Sequence, residues 1–216
     1  MTTSFSYKVC RLLMMGVFGL LLYAFALPLA VQAQSQSRWL RTIQVITPVS
    51  DREVTGVLLD TLMEVINRQD IRVRRSPEDL DTQSFADLEK ALINEGLDVT
   101  SATQVFITYR YESTQQGFFA QILDLYFIYR PTEFEEADIP ILYLDATDPV
   151  IQNIMVNSGV PSEVNEAVTR PFIEQIAINQ LMGSTVVKVG DRIIRDEKVA
   201  DYEKRRLLAI IREKSY

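Results

Sequence analysis

Apolar and polar positions follow two rhythms along this chain, and the places where the rhythm changes outline its elements. Thr42–Thr47 alternates, with Ile43 and Val45 on one side, and reads as a strand that Pro48 ends. Ser50-Asp51-Arg52-Glu53 has the form of a capping box. After it, Val54, Val57, Leu58, Leu62, Val65 and Ile66 fall on one stripe at helical spacing. Asn67–Asp70 closes that helix, and Ile71–Arg74 alternates again as a short strand. A second cap, Ser84 with Asp87, opens a helix with Phe85, Leu88, Ala91 and Leu92 inward and Gly96 at its end.

The period then changes to two. Gln104–Tyr111 and Phe118–Arg130 flank the polar turn Glu112–Gly117 and form a long hairpin. Ile141–Leu144 is a short continuous apolar strand. Asp148-Pro149 predicts a capped helix to about Asn157, with Gly159 ending it. Ser162 predicts another helix, interrupted at Pro171, with Phe172, Ile173, Ile176 and Leu181 on its later apolar face. Val186–Val189, Gly190-Asp191 and Arg192–Ile194 read as a tight hairpin. A last helix, about Lys198–Arg212, places Val199, Tyr202, Leu207, Ile210 and Ile211 inward. The order predicts an α/β (α+β) fold: a mixed β-sheet with a long hairpin, covered by amphipathic helices.

The amino-terminal 33 residues stand outside both rhythms. Lys8 and Arg11 precede an uncharged, densely apolar stretch from Leu12 to Val31, and Val31-Gln32-Ala33 offers a cleavage site after Ala33. Charged start, apolar middle and small-residue exit make a secretory signal peptide. A retained membrane anchor is the alternative, because residues 12–31 are long enough to span about 30 Å of hydrocarbon. Either reading exports the remainder, to the periplasm or the medium if cleaved and to the outer side of a membrane if not. Residues 34–41 form a polar leader, and 42–216 read as one domain, with 131–216 as its completion or as a carboxy-terminal subdomain.

Cleavage would also remove Cys10, the sole cysteine, so the mature chain forms no disulfide and relies on an ordinary core. Losing Lys8 and Arg11 takes the formal charge from −7 to −9, which argues against nucleic acid as a partner. The chain has no histidine, which excludes Ser-His-Asp and Cys-His catalysis and histidine metal sites. No glycine-rich phosphate loop is present, and no cofactor or metal is expected.

Carboxylates remain. Asp124 interrupts an apolar strand, where burial raises a carboxyl pKa towards general-acid use. Asp145 and Asp148 follow a strand, although a helix cap already accounts for Asp148. Glu133, Glu135, Glu136 and Asp138 form an acidic loop without calcium-binding spacing, read as a solvated loop. The hairpin is rich in aromatics, and Tyr109, Tyr111, Phe118 and Tyr126 are candidates for a partner interface. Core packing is the competing account of the same rings. Arg72, Arg74 and Arg75 make a basic strand face, suited to an acidic partner or to discouraging edge pairing.

In order and spacing, Thr42–Thr47 into the Ser50 helix, then Ile71–Arg74, then the Ser84 helix before a long hairpin resembles a known module. It is the small periplasmic α/β module at the amino terminus of TolB and in CsgG-type assembly proteins. The resemblance covers residues 42–130 and implies protein–protein contacts in the cell envelope. The expected function is an exported, non-enzymatic protein-binding or assembly module, with another envelope protein or a further copy of itself as partner. The alternatives are a carboxylate-dependent hydrolase of an envelope polymer and the same module tethered to the membrane by residues 12–31.

Overall fold

The computed structural model describes residues 39–50, 53–114, 117–131, 138–162, 165–181 and 183–214. The expected signal segment, its expected cleavage site after Ala33 and all of the acidic loop except Asp138 lie outside these residues. The fold is mixed α/β, with eight strands and five helices among the described residues. No described helix is long and apolar enough to cross a membrane. Leu40–Ser113 and Gly117–Tyr216 belong to one compact unit.

Six strands form the main sheet: β1 (Trp39–Pro48), β2 (Gln104–Thr114), β3 (Gly117–Tyr129), β4 (Ile139–Asp145), β7 (Thr185–Val189) and β8 (Arg192–Ile193). Their spatial order is β4-β3-β2-β1-β7-β8, while β5 (Gly159–Ser162) and β6 (Asn165–Pro171) make a separate ribbon. β1 and β2 run antiparallel: the Val49 amide donates to the Thr103 carbonyl at 2.9 Å, and Gln44 meets Thr108 further along. The β3–β4, β1–β7 and β7–β8 pairs are antiparallel too. Strands β4 and β7, both from the carboxy-terminal half, thus complete the sheet that the amino-terminal half begins.

Alternation decides what each strand buries. Ile43, Val45, Val105, Ile107, Tyr109, Tyr111, Leu125, Phe127, Leu142, Leu144 and Val186 are buried and form the core face. The buried side chains of α1 (Val54–Gln69), α2 (Phe85–Asn94) and α3 (Pro149–Asn157) complete that core, among them Leu58, Leu62, Ile66, Leu88, Leu92 and Ile151. Removing one such leucine side chain costs about 2–5 kcal/mol, because the cavity collapses only in part.

Local chemistry explains the helix ends. The Ser84 hydroxyl accepts from the Asp87 amide at 3.1 Å to start α2, and the Leu97 amide returns to Leu92 past Gly96, whose φ is 78°. Asp148 accepts from the amides of Val150 and Ile151 and starts α3 ahead of Pro149. The expected capping box at Ser50 does not form in that register. Helix α1 begins at Val54 with Glu53 as its N-cap, because the Ser50 carbonyl takes the Glu53 amide in a turn.

Four further expectations change. Ile71–Arg74 is not a strand: Val73 bridges to Gln83 and Arg74 to Tyr143, so adjacent residues serve different neighbours. Ser162 starts no helix. Residues 165–171 pair with β5 instead, leaving only the single turn α4 (Phe172–Gln175) after Pro171. Gly159 opens β5 rather than ending α3, and a Cβ there would lie 1.7 Å from the Arg170 carbonyl oxygen. Finally, α5 (Glu197–Lys214) is rotated from its expected phase. Ala200 and Leu207 are buried, while Val199 and Tyr202 are exposed. Polar anchors on the inward side cause this: Lys204 donates to the Ser184 carbonyl and hydroxyl, and Glu203 pairs with Arg192.

Candidate functional site

The other face of the sheet carries the most organised surface chemistry. On this face Gln44, Ile46, Phe106, Asp124, Tyr126, Tyr143, Thr185 and Lys188 are all partly exposed, whereas Ile43, Val45, Val105, Ile107, Leu125, Phe127, Leu142, Leu144 and Val186 beside them are buried. Pleating places residues two apart on one strand about 7 Å apart on one face. Two rows therefore cross the strands side by side.

One row is aromatic. Phe106 on β2 stacks on Tyr126 of β3, with ring centroids 5.8 Å apart and planes 20° apart. Tyr126 is the register partner of Tyr143 on β4, and those rings tilt at 59° with centroids 6.3 Å apart. The guanidinium of Arg74, which bridges to Tyr143, lies 4.5 Å from the Tyr143 ring centroid. The rings lean on one another along the row. Burial raises the pKa of both Tyr126 and Tyr143, so both phenols stay neutral.

The second row is polar. Lys188 on β7 is the register partner of Gln44 on β1, and the Gln44 amide donates to the Thr108 hydroxyl at 3.1 Å. Beyond Thr108 lies Asp124, directly opposite Asp145 on β4. The Asp124 pKa is raised, chiefly by burial. Thr108 pulls it down, Asp145 pushes it up, and Arg74 and Lys188 pull it down. Asp145 is exposed, and one of its oxygens accepts from the Thr147 amide at 2.8 Å and hydroxyl at 2.6 Å.

The residues singled out from sequence divide sharply. Tyr109 and Tyr111 are core residues, 2% and 3% exposed, and the Tyr109 hydroxyl donates to the Ile176 carbonyl at 2.5 Å. Neither offers surface to a partner, since both point to the core side of β2. Phe118 stacks on Tyr111 with centroids 5.8 Å apart. Tyr126 alone of the four stands in the candidate site. The three arginines form no common basic face. Arg72 binds Thr82, Arg74 covers Tyr143, and Arg75 grips Glu95 through two 2.6 Å contacts and the Pro140 carbonyl at 2.8 Å. Asp138 pairs with Arg130 at 2.6 Å.

Gln44, Thr108, Tyr143 and Lys188 were not singled out from sequence. Their signal was present as the polar beat of each alternating strand, but the beats align only once the register is known. Among the described residues, no three Asp or Glu side chains gather in a way that suits a metal ion. No family model and no curated protein matches the sequence.

Proposed function

We propose that this chain is an exported, non-enzymatic envelope protein that binds another protein through the second face of its sheet. The observation that carries this reading is the pair of aligned rows, Arg74–Tyr143–Tyr126–Phe106 beside Asp145–Asp124–Thr108–Gln44–Lys188. Rigid, half-exposed rings beside hydrogen-bonding groups are what a protein interface uses as anchors and as specificity contacts. Export rests on the reading of residues 1–33 as a signal peptide. The likeness to the TolB and CsgG-type module points the same way, although its second strand is here only two bridges.

Capture of the tagged chain from its native envelope, followed by sizing and intact mass, tests the proposal. A stoichiometric companion of different mass is expected, and Tyr126→Ala with Lys188→Glu releases it while circular dichroism stays unchanged. Recovery of the chain without a companion under gentle conditions overturns the reading.

One observation favours a second reading. Asp124 and Asp145 are register partners on β3 and β4, which brings their Cβ atoms to about 5 Å of each other, and a retaining glycoside hydrolase works with two neighbouring carboxyl groups. Turnover of an envelope polysaccharide that Asp124→Asn abolishes would establish that reading in place of the first.

A further inference from the structure

The carboxy-terminal helix and the groove between the first two helices carry opposite charge. Helix α5 holds six basic and four acidic residues in a chain of net charge −7. Lys198, Tyr202, Arg205, Ala209 and Arg212 recur at intervals of four and three, so they share one face, and all five are exposed. None of Lys198, Arg205 and Arg212 has an acidic partner among the described residues. Arg205 reaches only the Asp201 carbonyl of its own helix, at 3.3 Å. Tyr202, 62% exposed, stands in the middle of the basic stripe.

The groove lies between α1, α2 and the single 3₁₀ turn Val99–Ser101. It is an open depression of about 450 Å³, with Met63, Phe85 and Val99 supplying apolar lining. Asp60, Glu64, Glu89 and Asp98 also line it, and no lysine or arginine does. Glu64 is paired with Arg68 at 3.6 Å on the same helix. Asp98 is held ionised by hydrogen bonds from Thr100 and Ser101. Asp60 and Glu89 have no cationic partner among the described residues. No residue of α5 lines the groove, so the two surfaces are separate on one molecule.

We propose that α5 of one copy docks the Lys198–Tyr202–Arg205 part of its basic stripe into the α1–α2 groove of a second copy. The occupant is a further copy of this chain because one molecule carries both complementary surfaces and leaves both uncovered among the described residues. Size agrees with a side-chain contact. The stripe runs about 21 Å at 1.5 Å per residue, and the α1 wall from Asp60 to Asn67 about 10 Å. Two turns of α5 therefore face the groove, with the Tyr202 ring towards Met63 and Phe85 and its basic neighbours towards the carboxylates. Because the two surfaces differ, the contact is head to tail and propagates into chains or closed rings. It uses no residue of the second sheet face, so it stands or falls separately from the function proposed above.

Sedimentation velocity on the full chain, across a range of concentrations at low and high salt, tests this. The expected result is a mass that grows with concentration at low salt and returns to monomer at high salt. Lys198→Glu with Arg205→Glu, and separately Asp60→Lys with Glu89→Lys, each weaken association by about tenfold or more, a loss of about 1.4 kcal/mol. All four positions are exposed, so circular dichroism is unchanged. Mixing the two variants restores association, because the reversed helix of one fits the reversed groove of the other. A monomer at every concentration overturns the proposal. So does association that ignores the reversals, and so does a mixture that stays monomeric.

Discussion

Asp124 and Asp145 occupy directly opposed positions on β3 and β4, two carboxylates facing each other with no basic side chain bonded to either among the described residues. Like charges in that position oppose sheet formation. Burial and Asp145 both raise the Asp124 pKa, so the folded protein holds that proton more tightly than the unfolded chain does. The stability associated with this proton is full below the ordinary aspartate value. It is lost as pH rises through the raised one. Asp124→Asn removes the charge and should raise stability at neutral pH by about 0.5 kcal/mol. Urea titrations at about pH 7 and about pH 4 check this, with a smaller gain expected at the acidic end as the wild-type carboxyl protonates. A variant less stable than wild type at neutral pH would show that the carboxylate is needed where it stands.

The Tyr109 hydroxyl is buried and donates to the Ile176 carbonyl, which follows α4. Tyr109→Phe keeps the ring and leaves that carbonyl without its donor. The expected loss is about 1–2 kcal/mol. For a domain of this size that lowers Tm by roughly 2–8 °C, read by thermal melting.

Gly159 allows β5 to approach β6 because it has no Cβ to meet the Arg170 carbonyl. In Gly159→Ala the colliding atom is backbone, so the strands must separate. A loss of about 2 kcal/mol is expected, in the range of overpacked sites. Hydrogen exchange should locate it: amides of the β5–β6 ribbon lose protection first, while those of β2 and β3 keep theirs.

Asp148 holds two amides at the start of α3. Asp148→Ala removes the cap, and about 1 kcal/mol of stability goes with it. Asp148→Asn retains an acceptor oxygen and should recover most of the loss in the same denaturant titration.

Where a signal was local, the sequence sufficed to read it. The caps at Ser84 and Asp148 and the Gly190-Asp191 turn depend on contacts within a few residues, and each forms as its pattern implies; the long hairpin forms too, but its strands run to Thr114 and from Gly117, into the expected turn. The failures involve distant partners. Ser162 reads as a helix start, but residues 165–171 pair with β5 instead. Val199 and Tyr202 fit a helical stripe, yet anchoring of Lys204 at Ser184 and of Glu203 at Arg192 turns them outward. The candidate site was legible only as separate polar beats. Gln44, Thr108, Asp124 and Asp145 span more than 100 positions and become one row through strand register alone.

The margins of the sheet have a consequence of their own. On one side, the Tyr143 amide of β4 donates to the Arg74 carbonyl at 2.9 Å, and Arg75 takes the Pro140 carbonyl, so a crossing segment occupies the rim. On the other, β8 is only two residues long. A strand from a neighbouring molecule finds no long ladder to extend at either rim. Growth of the main sheet by lateral addition, the route to cross-β fibres, is thereby disfavoured among the described residues.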